Sequence, residues 1–121
     1  MLKLTRKQLY KREMRAKKRL IKEKDKDWFW ECLELNCEVC GEPSIQVHHF
    51  FPKSLYPELR HDLQNGISLC MGCHFKHHHR GDPMIHQTII EKRGKKWLNN
   101  LKSKIKKPIN HQEFIKSAEI M

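Results

Sequence analysis

Two cysteine pairs limit what this chain can fold into. Cys37-Glu38-Val39-Cys40 and Cys70-Met71-Gly72-Cys73 are both C-x-x-C. A two-residue gap lets both thiolates of a pair reach one ion, and Gly41 and Gly72 permit the tight turn this requires. Two such pairs complete a tetrahedral four-sulfur zinc site, with zinc–sulfur distances of about 2.3 Å. A redox dithiol and reduced core cysteines are the competing uses, and the paired spacing in a reducing compartment favours zinc. A closed site of this kind holds a fold and does no chemistry. It would staple residue 37 to residue 73, which helps a chain whose core is small. Apolar residues make up 38% and charged residues 32% of the 121 positions, so a small core lies under a heavily charged shell. Cys32 is left over and reads as a free thiol or a core residue.

The formal net charge of +11 is unevenly spread. Residues 1–26 hold twelve Lys/Arg against three acids, and residues 92–107 hold eight Lys/Arg and no acid. Between them, residues 27–91 hold four Lys/Arg against nine acids. A mildly acidic centre therefore lies between two basic arms. Such clusters suit a phosphate backbone, because each neutralised phosphate releases counterions, and a solubilising surface would read the same way. No apolar run is long enough for a transmembrane helix, and the basic start MLKLTRKQLYKR has no apolar signal core. The chain is expected to be soluble and intracellular, with no membrane partner.

Local patterns divide the chain into an arm at 1–27, a centre at 28–82 and a tail at 83–121. Thr5 and Gln8 fit a capping box opening a long, mostly solvated helix. Lys24-Asp25-Lys26-Asp27 reads as a polar break, followed by Trp28, Phe29, Trp30, Leu33 and Leu35 as an apolar patch packed on the centre. Ile45, Val47 and Phe50 suggest a strand, Pro52 and Pro57 a loop, and Ile67-Ser68-Leu69 a second strand after an Asn65-Gly66 turn. Asp82-Pro83 reads as an N-cap and first helical residue, with Ile85, Ile89 and Ile90 on the buried face. Gly94 interrupts that helix. Trp97, Leu98, Leu101 and Ile105 continue an apolar stripe, and a last helix is expected after Asn110 and His111.

Seven of the nine histidines lie from residue 48 to residue 79. His48 and His49 are neighbours on a strand, where adjacent side chains face opposite ways. His74 and His78 are four apart and would share a helix face, an H-x-x-x-H platform for a divalent ion. His77 borders that face and His79 points elsewhere. Taken alone, protonated imidazoles complementing a helix C-terminus is the stronger reading. The zinc staple shifts the balance, because it brings the segment after Cys40 to the helix after Cys73 and so gathers four imidazoles. His61 and His86 read as surface or packing residues.

In this order, C-x-x-C, His48-His49-Phe50, Asn65, and Leu69-Cys70-x-x-Cys73-His74-x-x-x-His78 resemble the zinc-stapled HNH endonucleases, the ββα-metal or His-Me finger nucleases. The resemblance covers residues 37–80. A looser likeness to phage recombination endonucleases runs from Arg60-His61-Asp62 through Asn65 and again at Arg80-Gly81-Asp82. The resemblance implies an α+β fold: a small ββα-metal core with structural zinc, flanked by basic N-terminal and C-terminal helices. It implies hydrolysis of DNA phosphodiester bonds, by nicking or double-strand cleavage, in a phage or mobile-element setting. It makes His49 the general base, Asn65 the residue that orients the loop and the base, and His74 the final H. His48, His74 and His78 become ligands of a catalytic divalent metal, Mg²⁺, Mn²⁺, Ni²⁺ or Zn²⁺, with His77 and His79 as competing registers for the last. Lys53, Lys76, Arg80, Lys95 and Lys96 are the candidate DNA contacts. The competing reading is a non-catalytic zinc module that binds nucleic acid, and an RNA-directed nuclease of the same fold is a third.

Overall fold

The computed structural model describes residues 3–80 and 83–106, without the side chains of residues 77–80. Helix α1 spans Arg6–Cys32. Its capping box forms as expected: Thr5 Oγ1 accepts from the Gln8 amide at 3.1 Å, and Gln8 Oε1 accepts from the Thr5 amide at 2.8 Å. The helix does not break at Lys24–Asp27. Lys is a good helix former and Asp a tolerable one, and Asp25 finds partners across the fold, so the polar run continues the helix. At a rise of 1.5 Å per residue the rod is about 40 Å long. Through residue 24 its side chains are exposed, apart from a half-buried Met14. Docking is left to the last turns, where Trp28 is buried. The expected apolar patch is thereby corrected: Trp30 is 70% exposed because only one face of the helix end meets the centre, and Leu35, past the end of the helix, is 89% exposed.

Beyond the helix, the first cysteine turn is closed by the Cys37 amide on the Glu42 carbonyl at 2.6 Å and the Gly41 amide on the Cys37 carbonyl at 3.0 Å. Gly41 takes φ 83, a left-handed conformation open to glycine without strain. Strand β1, Gln46–His49, then pairs antiparallel with β2, Gly66–Leu69, placing His49 opposite Gly66 and His48 opposite Ile67. The connecting segment holds two short 3₁₀ turns, Pro57–Leu59 and Leu63–Asn65. Asn65 ends the second of these, so Asn65-Gly66 enters β2 from a turn of helix and is not a two-residue hairpin. Helix α2, Met71–Arg80, follows directly. β1, β2 and α2 thus come in the expected ββα order, within an α+β fold.

Helices α3, Met84–Arg93, and α4, Lys95–Ser103, pack behind this unit. Pro83, the expected first helical residue, stands at the N-cap of α3, so the helix begins one residue later than expected. Asp82, the expected cap, lies outside the described residues, as do His111 and the last expected helix. Gly94 separates the two helices with φ 89. One core results: Phe50, Phe51, Tyr56, Leu59, Ile67, Leu69, Ile85, Ile89 and Leu101, continuous with Cys37, Cys70 and Cys73. Gly66 is required by close approach, since a Cβ there would lie 2.5 Å from Cys32 Sγ and 3.2 Å from the Trp28 ring. No helix among the described residues is long and apolar enough to cross a membrane.

Candidate active site

The four cysteine sulfurs of Cys37, Cys40, Cys70 and Cys73 all lie within 4.8 Å of one another. A tetrahedral ion about 2.3 Å from each would space them about 3.8 Å apart, and Cys40 and Cys70 stand at 3.4 Å. The donor set therefore fits a structural metal of the kind zinc forms. The Val39 amide points at Cys37 Sγ and the Cys73 amide at Cys70 Sγ, each at 3.4 Å, as suits sulfurs carrying negative charge. Burial raises the Cys37 thiol, but neighbouring backbone donors outweigh it and bring the group down to about 7. Cys32 stays outside the cluster, with its Sγ 3.6 Å from the Leu63 carbonyl. Burial pushes this thiol up to about 11, so it is an inert packing group.

The neighbouring His48 and His49 face different helices. His48 is buried, and its ring centroid lies 4.5 Å from that of His74 on α2. His49 turns the other way and stacks on Trp28 of α1, with centroids 4.1 Å apart and planes 5° from parallel. The pleat of β1 produces this division, as successive side chains leave a strand on opposite faces. Two imidazoles thus lie side by side, one from the strand and one from the helix, as residues that could hold a metal ion between them. The backbone of α2 runs helically through residue 78, one turn beyond His74. The His78 side chain, with those of His77, His79 and Arg80, lies outside the described residues.

The His49 ring is held at one nitrogen. Nε2 lies 2.8 Å from the carbonyl oxygen of Arg60, a distance at which it must carry the proton and donate. Nδ1 then holds the lone pair. Burial pushes the imidazole below its ordinary value; the bond to the carbonyl works against that shift, and the charges of Lys53 and Arg60 reinforce it. A neutral imidazole with one oriented lone pair can take a proton.

Asn65 shapes the segment that carries this carbonyl. It is fully buried, and its Oδ1 accepts from the Phe51 amide at 2.8 Å. Its Nδ2 donates to the carbonyls of Phe51 and Leu59, both at 3.1 Å. One side chain thus clamps the chain just after His49 to the chain just before Arg60.

Sequence reading missed the outer ring of this site. Asp25 binds Arg60 and His61, Trp28 covers His49, and Arg93 forks onto the Glu38 carboxylate while donating to the Gln64 and Gly66 carbonyls. The signal for the first two was an acid three residues before a tryptophan in a basic helix, a spacing that shares a face. Arg93 sits in a basic run and had no distinguishing signal. His61 is half-buried on Asp25, and His86 is a packing residue, its ring against Phe50 and its Nε2 3.2 Å from the Phe50 carbonyl. Lys53, Lys76, Lys95 and Lys96 are exposed. Residues 37–80 match the family model for HNH endonuclease. No curated protein and no solved structure matches the chain.

Proposed function

We propose, from the match of residues 37–80 to the HNH endonuclease family, that this chain is a metal-dependent endonuclease hydrolysing DNA phosphodiester bonds. The observation that carries the reading is the division of the histidine pair: His48 lies beside His74, while His49 lies apart on Trp28 with one nitrogen committed to Arg60. Hydrolysis needs separate groups for these two tasks. Charge on the phosphate and on the leaving 3′-oxygen must be stabilised, and a water must lose a proton as it attacks phosphorus.

His49 is the base in this reading. Its Nδ1 takes the proton of the attacking water, its Nε2–H stays on the Arg60 carbonyl, and its burial keeps it neutral before the reaction. General-base catalysis of this kind is worth about 10²–10⁴ in rate. Asn65 fixes the loop that presents the carbonyl. His48 and His74 are the ligands of a divalent ion, with His78 as the expected third. When bound, that ion supplies Lewis-acid stabilisation of the phosphate and the leaving oxygen. The four cysteines hold structural zinc and take no part in the chemistry. The exposed cations of α1, with Lys53, Lys76, Arg80, Lys95 and Lys96, take up backbone phosphates.

The test is conversion of supercoiled plasmid to nicked or linear form with Mg²⁺, Mn²⁺, Ni²⁺ or Zn²⁺ and with a chelator. Cleavage that requires one of the ions is expected. DNA binding without cleavage under every ion would leave a zinc module that only binds nucleic acid. Cleavage of RNA in preference to DNA would move the substrate and keep the chemistry.

A further inference from the structure

The last turns of α1 hold three consecutive residues of the loop behind His49. Asp25 accepts two bonds from the Arg60 guanidinium, Nε to Oδ1 at 2.9 Å and Nη2 to Oδ2 at 2.7 Å. The same Oδ1 lies 2.7 Å from His61 Nε2. One turn on, Trp28 Nε1 donates to the Asp62 carbonyl at 2.8 Å. The Arg60 guanidinium holds Asp25 down to about 2, so the anchor is charged at any working pH.

Two constraints on His49 follow from this helix. A stacked indole fixes the plane of the imidazole, and the carbonyl that receives its Nε2–H belongs to the residue Asp25 grips. The ring turns about two bonds, so a plane and an in-plane direction together leave it one orientation. Neither Asp25 nor Trp28 belongs to the cysteine cluster or to the histidine pair.

We propose that Asp25 and Trp28 are positioning residues for His49: α1 fixes the tautomer and the aim of the base by stacking on its ring and by anchoring the Arg60 carbonyl. The proposal rests on His49 being the base. Misplacement of a catalytic group by about 1 Å costs on the order of 100-fold in rate, so loosening either anchor acts on the chemical step and leaves DNA affinity alone.

Single-turnover cleavage at saturating plasmid separates the two. Asp25→Ala and Arg60→Ala are each expected to lower the saturated rate about 10-fold, and the double variant no further than the worse single, because both remove one pair. Trp28→Leu is expected to lose about 10- to 100-fold and Trp28→Phe to recover most of that, since a ring again covers the imidazole. DNA affinity should stay within about twofold and zinc content unchanged. In ¹⁵N NMR of the uncleaving, metal-free site, the parent should show His49 protonated at Nε2, and Asp25→Ala a mixture of tautomers. Saturated rates within twofold of the parent for Asp25→Ala and Trp28→Leu, losses confined to DNA affinity, or an unchanged tautomer in Asp25→Ala would each overturn the proposal. If Trp28→Leu does not fold, the partly exposed Asp25–Arg60 pair decides alone. A His49→Ala variant that cleaves like the parent is a different result: it removes the base assignment itself, and this inference with it.

Discussion

Replacing Asn65 with Ala removes one buried amide and three hydrogen bonds at once. The Phe51 amide loses its acceptor, and the Phe51 and Leu59 carbonyls lose their donor, among Phe50, Phe51 and Leu59 side chains that are at most 2% exposed. Each bond is worth about 1 kcal/mol net, and a backbone N–H left unpaired in such surroundings costs about 1–3 kcal/mol. Two lost carbonyl bonds and one unpaired N–H make the sum for Asn65→Ala about 3–5 kcal/mol, a large share of the stability of a domain this small. Unfolding should be followed by far-UV circular dichroism in urea at saturating zinc, so that metal loss does not enter the comparison. At about 4–8 °C per kcal/mol, the thermal midpoint should fall by roughly 12–40 °C. Asn65→Asp keeps the acceptor for Phe51 but turns a carboxylate oxygen toward two carbonyls, so it should be no more stable than Asn65→Ala. A loss under about 1 kcal/mol for Asn65→Ala, or parental stability for Asn65→Asp, would refute the clamp.

Three further outcomes follow from the same contacts. Cys40→Ser should release the structural metal, measured as zinc per chain, and replace a sharp melting transition with a broad one; full zinc content would sink the four-sulfur site. Gly66→Ala drives a methyl group to 2.5 Å from Cys32 Sγ; it should cost about 1–3 kcal/mol, with Cys32→Ala restoring part of that, and a neutral Gly66→Ala would mean that α1 does not sit tightly on β2. Burial lowers the His86 imidazole below its ordinary 6.5. Its neutral form is the folded one, so its contribution is complete above about pH 6.5 and is lost as pH falls below that, where the unfolded chain binds the extra proton. The zinc thiolates give the same sign, so the measurement is the difference between proteins: His86→Gln should lose less stability between pH 7 and 5 than the parent, and equal slopes would refute it.

What was legible in the chain was local. Cys37, Cys40, Cys70 and Cys73 announce their site because two-residue gaps mean the same thing in any fold, and their sulfurs do converge. His48 and His49 separate because a strand alternates, which requires no knowledge of the partner helices. The partners themselves were not legible. Asp25 is 35 residues from Arg60, and inside Lys24–Asp27 it read as part of a break. Trp28 read as one of five aromatic and aliphatic core residues, whereas Trp30 and Leu35 face solvent and Trp28 alone reaches His49. Asn65-Gly66 carried two readings, and burial distinguishes them: the asparagine is an interior clamp, and the glycine makes room for α1.

The assignment of His49 as base is tested most directly by the single-turnover nicking rate of His49→Ala, at saturating plasmid and with the activating ion. The expected result is a loss of about 10²–10⁴-fold, with DNA affinity and zinc content as in the parent. A rate within twofold of the parent would contradict it.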